Sequence, residues 1–241
     1  MPSAVILVAM PDEEQPFLDR ATSVGDPVTV GLAVRRTIVL DGREVLLVRT
    51  GIGLVNAAGA TTSAILATQP EDGGTGSLLI SAGTAGGVSD TIRVGDVVIG
   101  GEYINIDADA RAFGYLLGQV PRMPATYLGD ETAIAALAAS SHAVDLAPAS
   151  VHVGLLASSY AFVTVSRALS IREAMPGVLA TDMESSAIAQ TAYVHGRPFV
   201  SVRGISDLCG PVAADDFLTH VDDAAERSAV SVLALLGSLP R

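Results

Sequence analysis

The sequence predicts an α/β fold in which helices cover a mostly parallel-type sheet. Apolar residues make up 49% of the 241 residues, whereas aromatic residues make up 4% and tryptophan is absent. A core built from Val, Leu, Ile and Ala is typical of strands that are buried on both faces under helices. Strand-sized apolar runs also alternate with helical stretches along the chain, which indicates the same fold class.

The first half of the chain contains four strand-sized runs and one helical stretch. The run Ala4 to Ala9 is continuously apolar, and Glu44 to Val48, Leu78 to Ser81 and Asp96 to Gly100 are of similar length. We therefore expect four strands. The alanine-rich segment Asn56 to Thr68 predicts a helix between the second and third of them.

The second half contains three helical stretches and one strand. Glu131 to Ser140 predicts a helix, and Met183 to His195 predicts another that ends before a glycine. Pro198 to Arg203 is a strand-sized apolar run. Ala213 to Leu236 carries Leu and Val at spacings that suit a helix packed on a sheet.

Two connections stand out between these elements. Gln69 to Gly76 is predicted to be a flexible surface loop, and Ile104 to Pro124 is the longest span without a clean period. A long irregular span in a compact domain usually serves a function. Because no repeat or shift in composition divides the chain, we expect a single domain over residues 1–241.

Composition excludes several classes of function. The formal net charge is -12, and no basic cluster is present that would bind phosphates, so nucleic acid is not expected as a partner. The sequence has no signal-like start and no apolar run of about 18 residues, so we expect a cytoplasmic protein without membrane contact. A single cysteine, Cys209, and four scattered histidines predict neither a disulfide nor a metal site. No cofactor is expected.

Two glycine-rich segments follow predicted strands without matching a nucleotide-binding motif. Thr50 to Ala57 imitates the start of a dinucleotide fingerprint, but Asn56 replaces the third glycine and the acidic residue expected about 20 positions later would fall in a glycine-rich loop. Ser81 to Gly87 lacks the ending of a triphosphate-binding loop. Its small residues suit close approach to a flat ligand, but a bulge or sharp turn would need the same residues.

Five segments, taken in order, resemble the 5'-methylthioadenosine/S-adenosylhomocysteine nucleosidases of the purine nucleoside phosphorylase/nucleosidase superfamily. They span most of the chain, and their register makes the resemblance specific, although each alone is a weak match. Further similarity to bacterial members lies in Val94 to Val98 and in Asp107 to Pro121. The five segments are Ala9 to Glu13, Thr50 to Gly53, Gly83 to Gly87, Asp182 to Glu184 and Arg203 to Asp207.

The resemblance implies a three-layer αβα fold with a central mixed sheet that is partly curled into a barrel, assembled as a homodimer. It implies an N-glycosyl hydrolase that uses water to release adenine from a nucleoside in methionine salvage. Such a reaction needs an acid that protonates N7 of the leaving adenine, a role that the resemblance gives to Asp207. The alternative is that Asp207 caps a following helix or turn.

The other two carboxylates are assigned in the same way. The resemblance makes Glu184 the residue that holds the ribose hydroxyls and stabilises the oxocarbenium-like sugar, with Met183 packing beside it. Locally, however, Thr181 to Glu184 also matches a capping box. Glu13 is matched to the residue that positions and deprotonates the attacking water; its alternative is a solvated acidic helix start.

The resemblance also predicts the residues that surround the substrate. Ile52, Phe162 and Val163 match pocket-lining positions, although core packing is an equal explanation for Ile52. Phe162 suits stacking on a purine. Arg203 and Ser206 are expected to orient the loop of Asp207, unless Arg203 serves only as a buried charge partner. The remaining predicted substrate contacts are Thr84, Ala85 and Gly86.

Four departures from the family pattern leave the substrate preference open. Thr84 stands where a Ser is usual, Asp182 where a Glu is usual, Tyr160 where an Asp is usual, and Ile106 replaces a frequent His. The alternatives are a nucleosidase for futalosine-like or 5'-deoxyadenosine-like substrates, a phosphorylase of the same fold, and a non-catalytic nucleoside-binding protein. The acidic loop that contains Glu13 favours water over phosphate as the nucleophile.

Overall fold

The computed structural model describes residues 2–70, 74, 76–140 and 149–239. Within the predicted surface loop Gln69 to Gly76, residues 71–73 and 75 lie outside the described residues. Across the part of the chain that is described, no helix has both the length and the apolar character needed to cross a membrane.

The strands and helices alternate along most of the chain. A short 3-10 turn covers Arg111–Phe113. The helices are α1 (Pro11–Arg20), α2 (Leu54–Ala67), α3 (Glu131–Ser140), α4 (Val165–Ala174), α5 (Ser185–Val194) and α6 (Ala213–Ser238). The strands are β1 (Ala4–Val8), β2 (Ser23–Val24), β3 (Val28–Val30), β4 (Ala33–Leu40), β5 (Arg43–Arg49), β6 (Leu78–Gly87), β7 (Val97–Asn105), β8 (Tyr127–Leu128), β9 (Val151–Ser158), β10 (Val178–Asp182) and β11 (Phe199–Asp207).

The sheet is mixed and closes partly on itself. Its main strand order is β10-β9-β7-β11-β6-β1-β5-β4-β2. The pairs β1–β5, β1–β6, β6–β11, β7–β9 and β9–β10 are parallel, whereas β7–β11 and β4–β5 are antiparallel. An additional antiparallel pairing joins Thr181 of β10 to Gly86 of β6. This contact closes a ring of strands, so the expected mixed, partly barrel-like sheet is confirmed.

Helices cover both faces of the sheet. One apolar cluster contains Ala57, Ala60 and Ala64 of α2 together with Ile188 of α5. A second contains Phe17 of α1, with side chains of α3 and α6, on the other face. The small alanines let α2 and α5 approach the sheet and each other closely. The arrangement is the three-layer αβα architecture that the family resemblance implied.

Three predicted strands extend further than their apolar runs suggested. β6 continues to Gly87 and β7 continues to Asn105. β11 continues past Arg203 to Asp207, so Asp207 is the last residue of the strand and does not follow it. Polar and glycine residues interrupt the hydrophobic pattern in these segments, but neighbouring strands on both sides supply their backbone partners.

Several elements carried no clear signal in the sequence. The apolar runs did not predict β4, β9, β10 or α4. The helix expected to begin at Met183 begins instead at Ser185. The helix predicted over Glu131 to Ser140 has the same bounds in the structure. The extra strands matter for function because β9 and β10 complete the ring beside the ends of β6 and β11.

Candidate active site

A cavity of about 370 Å³ opens where β6, β10 and β11 end. Ligands in α/β proteins commonly bind beyond the carboxyl ends of the strands. The wall combines four carboxylates with mostly apolar side chains. Its lining residues are Ala9, Met10, Glu13, Ile52, Thr84, Gly86, Ala161, Phe162, Val163, Thr181, Asp182, Met183, Glu184, Ser206, Asp207, Cys209, Ala214, Phe217 and Leu218.

Glu13 lies in the first turn of α1, directly after β1, and is 2% exposed. Its Oε2 accepts hydrogen bonds from the backbone N–H of Ala9 at 2.8 Å and of Met10 at 3.2 Å. Its Oε1 accepts from the backbone N–H of Thr84 at 2.8 Å and from the Thr84 hydroxyl at 3.1 Å. The alternative of a solvated acidic helix start is wrong, because the carboxylate is buried against β6.

Gly83 makes room for the Glu13 carboxylate. Its φ of +149° lies in the region that favours glycine, and a Cβ there would overlap the carboxylate of Glu13 and approach the Arg203 guanidinium. The small residues of the Gly83 to Gly87 segment therefore allow side chains to approach the strand. A β-bulge also lies opposite, where the β11 register shifts between Ile205 and Asp207.

Glu184 precedes α5, and its Oε1 accepts a hydrogen bond from the backbone N–H of Gly53 at 2.9 Å. The capping-box alternative is wrong, because this carboxylate crosses to the turn before α2. Asp182 instead accepts the backbone N–H groups at the start of α5, from Glu184 at 3.3 Å and Ser185 at 3.2 Å. Burial raises the pKa of Glu184 to about 7, although Arg203 lowers it.

Asp207 projects into the cavity from the end of β11. Its Oδ1 accepts the backbone N–H of Cys209 at 2.9 Å, and its Oδ2 accepts the Ser206 hydroxyl at 3.1 Å. The carboxylate thus holds the turn after β11, but it does not cap α6, which begins at Ala213. Burial raises the pKa of Asp207, and the two hydrogen bonds oppose that rise only in part.

The predicted apolar contacts line the cavity around these carboxylates. Ile52 and Phe162 are about half exposed at its mouth, Val163 is buried, and Met183 is partly buried. The ring of Phe162 meets the ring of Phe217 edge to face, with centroids 6.1 Å apart. Aromatic pairs prefer this geometry, so a flat ligand would enter beside an aromatic wall.

Two predicted substrate contacts do not line the cavity. Ala85 is buried in β6, where its carbonyl accepts a 3.4 Å hydrogen bond from the Ser206 hydroxyl. Arg203 lies beneath the cavity, with its Nε 2.9 Å from Asp182 and its Nη2 3.8 Å from Glu184. Arg203 is therefore a buried charge partner of these two carboxylates, which is the alternative role that the sequence left open.

Several lining residues were not predicted as contacts. Phe217 and Leu218 come from the start of α6, and Met10 comes from the turn before α1. The scarcity of aromatic residues is the one signal in the sequence by which Phe217 could have been found. Burial raises the pKa of the Cys209 thiol to about 12, so this side chain is a neutral part of the wall at physiological pH.

The four departures from the family pattern have separate environments. The Thr84 hydroxyl binds Glu13, and Asp182 binds Arg203. Tyr160 lies beside Gly53 and is half exposed. Ile106 packs against an apolar cluster that includes Val163 of the cavity wall. Within the described residues, no group of three or more His, Cys, Asp or Glu side chains is arranged to hold a metal ion.

The chemistry of this cavity is that of a carboxylate site, since no Lys or Arg lines it within the part of the chain that the structure describes. Burial raises the pKa of both Glu184 and Asp207, so either carboxyl group can hold a proton for delivery, and the carboxylates that stay charged can stabilise positive charge or accept a proton. Comparison of the whole chain with known protein families identifies the class of protein to which such a site belongs. Residues 3–237 match the model of the phosphorylase superfamily.

The curated relatives named here are all described as 5'-methylthioadenosine/S-adenosylhomocysteine nucleosidases. The 5'-methylthioadenosine/S-adenosylhomocysteine nucleosidase of Marinomonas sp. (strain MWYL1) is 38% identical over 197 residues, which cover 81% of this chain and 82% of the relative. That of Geobacillus thermodenitrificans is 36% identical and covers 97% of this chain and 95% of the relative. That of Staphylococcus aureus (strain MRSA252) is 35% identical, covering 97% and 99%.

Solved structures give the same result. The nucleosidase of the same description from Neisseria meningitidis, in complex with methylthio-immucillin-A, matches with a TM-score of 0.90 and 34% identity, covering 99% of this chain and 100% of the other. The enzyme from Colwellia psychrerythraea, in complex with adenine, matches with a TM-score of 0.90 and 30% identity, covering 98% and 95%. The chain belongs to the phosphorylase superfamily and, within it, to the 5'-methylthioadenosine/S-adenosylhomocysteine nucleosidases.

Proposed function

We propose that the protein hydrolyses the N-glycosidic bond of 5'-methylthioadenosine and S-adenosylhomocysteine, releasing adenine and the 5-thioribose product. The observation that carries this proposal is the convergence of Glu13, Glu184 and Asp207 on one cavity. These residues come from separate parts of the chain. Relatives over nearly the full length are nucleosidases for these two substrates.

Asp207 supplies the proton that lets adenine leave as a neutral base. A general acid must be protonated near neutral pH, and burial raises the pKa of Asp207 in that direction. Its Oδ1 is occupied by the backbone N–H of Cys209. From the described residues its Oδ2 accepts only the Ser206 hydroxyl, whose single proton can turn to the Ala85 carbonyl at 3.4 Å, so Oδ2 is the oxygen that can carry the proton and pass it to N7 as the glycosidic bond breaks. Phe162, on the loop after β9, packs against the purine.

Glu184 holds the ribose. Its Oε1 is fixed by Gly53 at 2.9 Å, which leaves Oε2 to accept the 2' and 3' hydroxyls. As the bond stretches, positive charge develops on the sugar, and the negative charges of Glu184 and Glu13 stabilise it in a cavity with little polar surface. Met183 packs on the sugar.

Glu13 positions and deprotonates the water. Its four hydrogen-bond donors fix the orientation of the carboxylate. Three of these donors are backbone N–H groups, whereas the Thr84 hydroxyl is free to rotate. Rotation of this hydroxyl releases a lone pair of Oε1 to the attacking water.

Water is favoured over phosphate by the charge of the cavity. Among the described residues that line it, none is Lys or Arg, whereas four are Asp or Glu. A phosphate nucleophile needs cationic or other strong donors at its site. The negative lining repels phosphate and can activate water, which supports hydrolysis.

Adenine release from 5'-methylthioadenosine, with and without inorganic phosphate, tests this proposal. We expect release at the same rate in both conditions, and loss of release in D207N. A rate that depends on phosphate would identify a phosphorylase. No release from this substrate or from S-adenosylhomocysteine, together with tight nucleoside binding, would identify a binding protein.

We further propose that the protein acts as a homodimer in the cytoplasm and serves methionine salvage. Exposed apolar side chains on α2, on α5 and in the irregular span Ile104 to Pro124 support dimerisation. They include Val55, Val194 and Phe113, and the Phe113 side chain is 83% exposed. Sedimentation equilibrium of the protein and of a Val55→Glu variant tests the dimer, and cell fractionation tests the location. The single domain over residues 1–241 stays a prediction.

A further inference from the structure

Arg203 is a fully buried cation that faces two carboxylates at unequal distances. Its Nε lies 2.9 Å from Oδ2 of Asp182, whereas its Nη2 lies 3.8 Å from Oε2 of Glu184. The Nη2 group donates to the hydroxyls of Ser81 at 2.7 Å and Ser185 at 3.1 Å, and the Nε–H that faces Asp182 also lies 3.2 Å from the Ser201 hydroxyl. The direct ion pair is therefore made with Asp182.

Asp182 is itself held in place from several sides. Its Oδ1 accepts the Ser158 hydroxyl at 2.5 Å and the backbone N–H groups at the start of α5. Its Oδ2 accepts the Ser185 hydroxyl. It is also the last residue of β10, so its short side chain is anchored on the sheet. Arg203 cannot draw this carboxylate towards Glu184.

We propose that Asp182 is a positioning residue that keeps the Arg203 guanidinium from binding Glu184 directly, so that the Glu184 carboxylate stays available to the ribose. A direct contact with Arg203 would occupy the lone pairs that must accept sugar hydroxyls. At 3.8 Å the guanidinium still favours the charged carboxylate without occupying it. This inference rests on the proposed function of Glu184.

The charges around Glu184 determine the direction in which its pKa changes when the charge of Asp182 is removed. Burial is the main cause of its raised pKa, Arg203 of β11 lowers that pKa, and Asp182 of β10 and Glu13 of α1 raise it. The N–H of Gly53 lowers it, and Tyr103 of β7 interacts electrostatically with Arg203. Removal of the Asp182 charge lowers the pKa of Glu184 directly, and closer approach of Arg203 lowers it further.

The test is D182N, whose side chain has nearly the same shape but lacks the charge. We expect the KM for 5'-methylthioadenosine to rise about tenfold, the scale of one lost charge-assisted hydrogen bond, with a smaller change in kcat. We also expect the low-pH limb of kcat/KM, which reports ionisation of Glu184 in the free enzyme, to move to lower pH. Weaker binding together with a shift to lower pH is not the result of simple loss of stability.

Two further variants separate positioning from helix capping. D182E restores the charge and should return both KM and the low-pH limb towards their normal values. S158A removes a hydrogen bond to Asp182 but keeps its charge, so it should lower the melting temperature while leaving the limb in place. If D182N leaves the limb and KM unchanged, Asp182 acts only as a cap and the inference is wrong.

Failure of the proposed function would be recognised separately. If the unaltered protein releases no adenine, isotope-edited infrared titration can follow the Glu184 carboxyl group, with E184Q used to assign its band. A lower Glu184 pKa in D182N than in the unaltered protein then supports the charge arrangement. An equal pKa in the two proteins overturns it.

Discussion

The carboxylate of Glu184 accepts a hydrogen bond from the backbone N–H of Gly53 at 2.9 Å, although 131 positions separate the two residues. Gly53 has a φ of +101°, which L side chains rarely adopt, and it is the residue that precedes α2. The turn before one helix thus orients the carboxylate at the start of another, and α2 and α5 pack together. This contact places the proposed ribose acceptor.

Gly53→Ala should weaken both the fold and substrate binding. With its ψ of 159°, the positive φ of Gly53 makes the substitution unfavourable by about 1–3 kcal/mol, and a shifted turn moves the N–H away from Glu184. We expect a lower melting temperature and a KM raised about tenfold. Gly177→Ala is the control, because its φ of +90° is also positive and no atom lies within 4 Å of its Cβ position. Equal effects of both variants on KM would contradict the role of Gly53.

Ser206→Ala should move the high-pH limb of activity to higher pH. The Ser206 hydroxyl stabilises the charged form of Asp207 at 3.1 Å and so lowers its pKa. Without it the pKa rises further, and the acid stays protonated to higher pH. The measurement is the pH dependence of kcat/KM. Ser231→Ala, whose hydroxyl bonds within α6, is the control and should leave the limb unchanged. A shift of the limb to lower pH would argue against Asp207 as the acid.

Thr84→Val should reduce turnover more than binding. Valine keeps the shape of threonine but removes the hydroxyl that lies 3.1 Å from Glu13, while the backbone N–H of residue 84 remains as a donor. We expect kcat to fall by about tenfold, as for one lost hydrogen bond at the carboxylate. Initial rates at saturating substrate measure this. The matched control is Thr62→Val, which removes a hydroxyl bonded within α2. An unchanged kcat would exclude the Thr84 hydroxyl from the positioning of the water.

Glu184→Gln should stabilise the fold at alkaline pH while it reduces activity. The pKa of Glu184 rises from 4.5 in its reference state to about 7 when folded. The folded state therefore binds the proton more tightly, so stability is full below pH 4.5 and is lost as the pH rises to about 7. The loss is at most about 3 kcal/mol, a figure in which the favourable interaction with Arg203 is already included.

Urea unfolding at pH 5 and pH 8 measures this effect. The free energy of unfolding of the variant minus that of the unaltered protein should be larger at pH 8 than at pH 5. Its kcat/KM should be lower at both values, because a neutral amide stabilises the sugar cation poorly. A variant that is equally destabilised at both pH values would show that the buried charge carries no pH-dependent penalty.

The sequence predicted the fold class, the family and much of the cavity wall. Composition and alternating elements indicated an α/β protein, and the order of five short segments indicated the nucleosidase family; the structure and the relatives confirm both. The roles of Glu13, Glu184 and Asp207 stay predictions, although all three line one cavity. Local patterns were weakest where side chains interrupt the apolar period, so β9, β10 and the ends of β6 and β11 were missed.

The sequence by itself determined which residue types are present and in what order, including the glycines whose positive φ no other residue adopts readily. It did not determine what each carboxylate contacts. Thr181 to Glu184 suited a capping box as well as a ribose site, and only the tertiary structure showed that the Glu184 carboxylate binds the backbone N–H of Gly53 and not that of Thr181. The physical reason is that Gly53 and Arg203 compete with local backbone groups for these carboxylates. Both partners are distant along the chain and are brought near by the closed sheet.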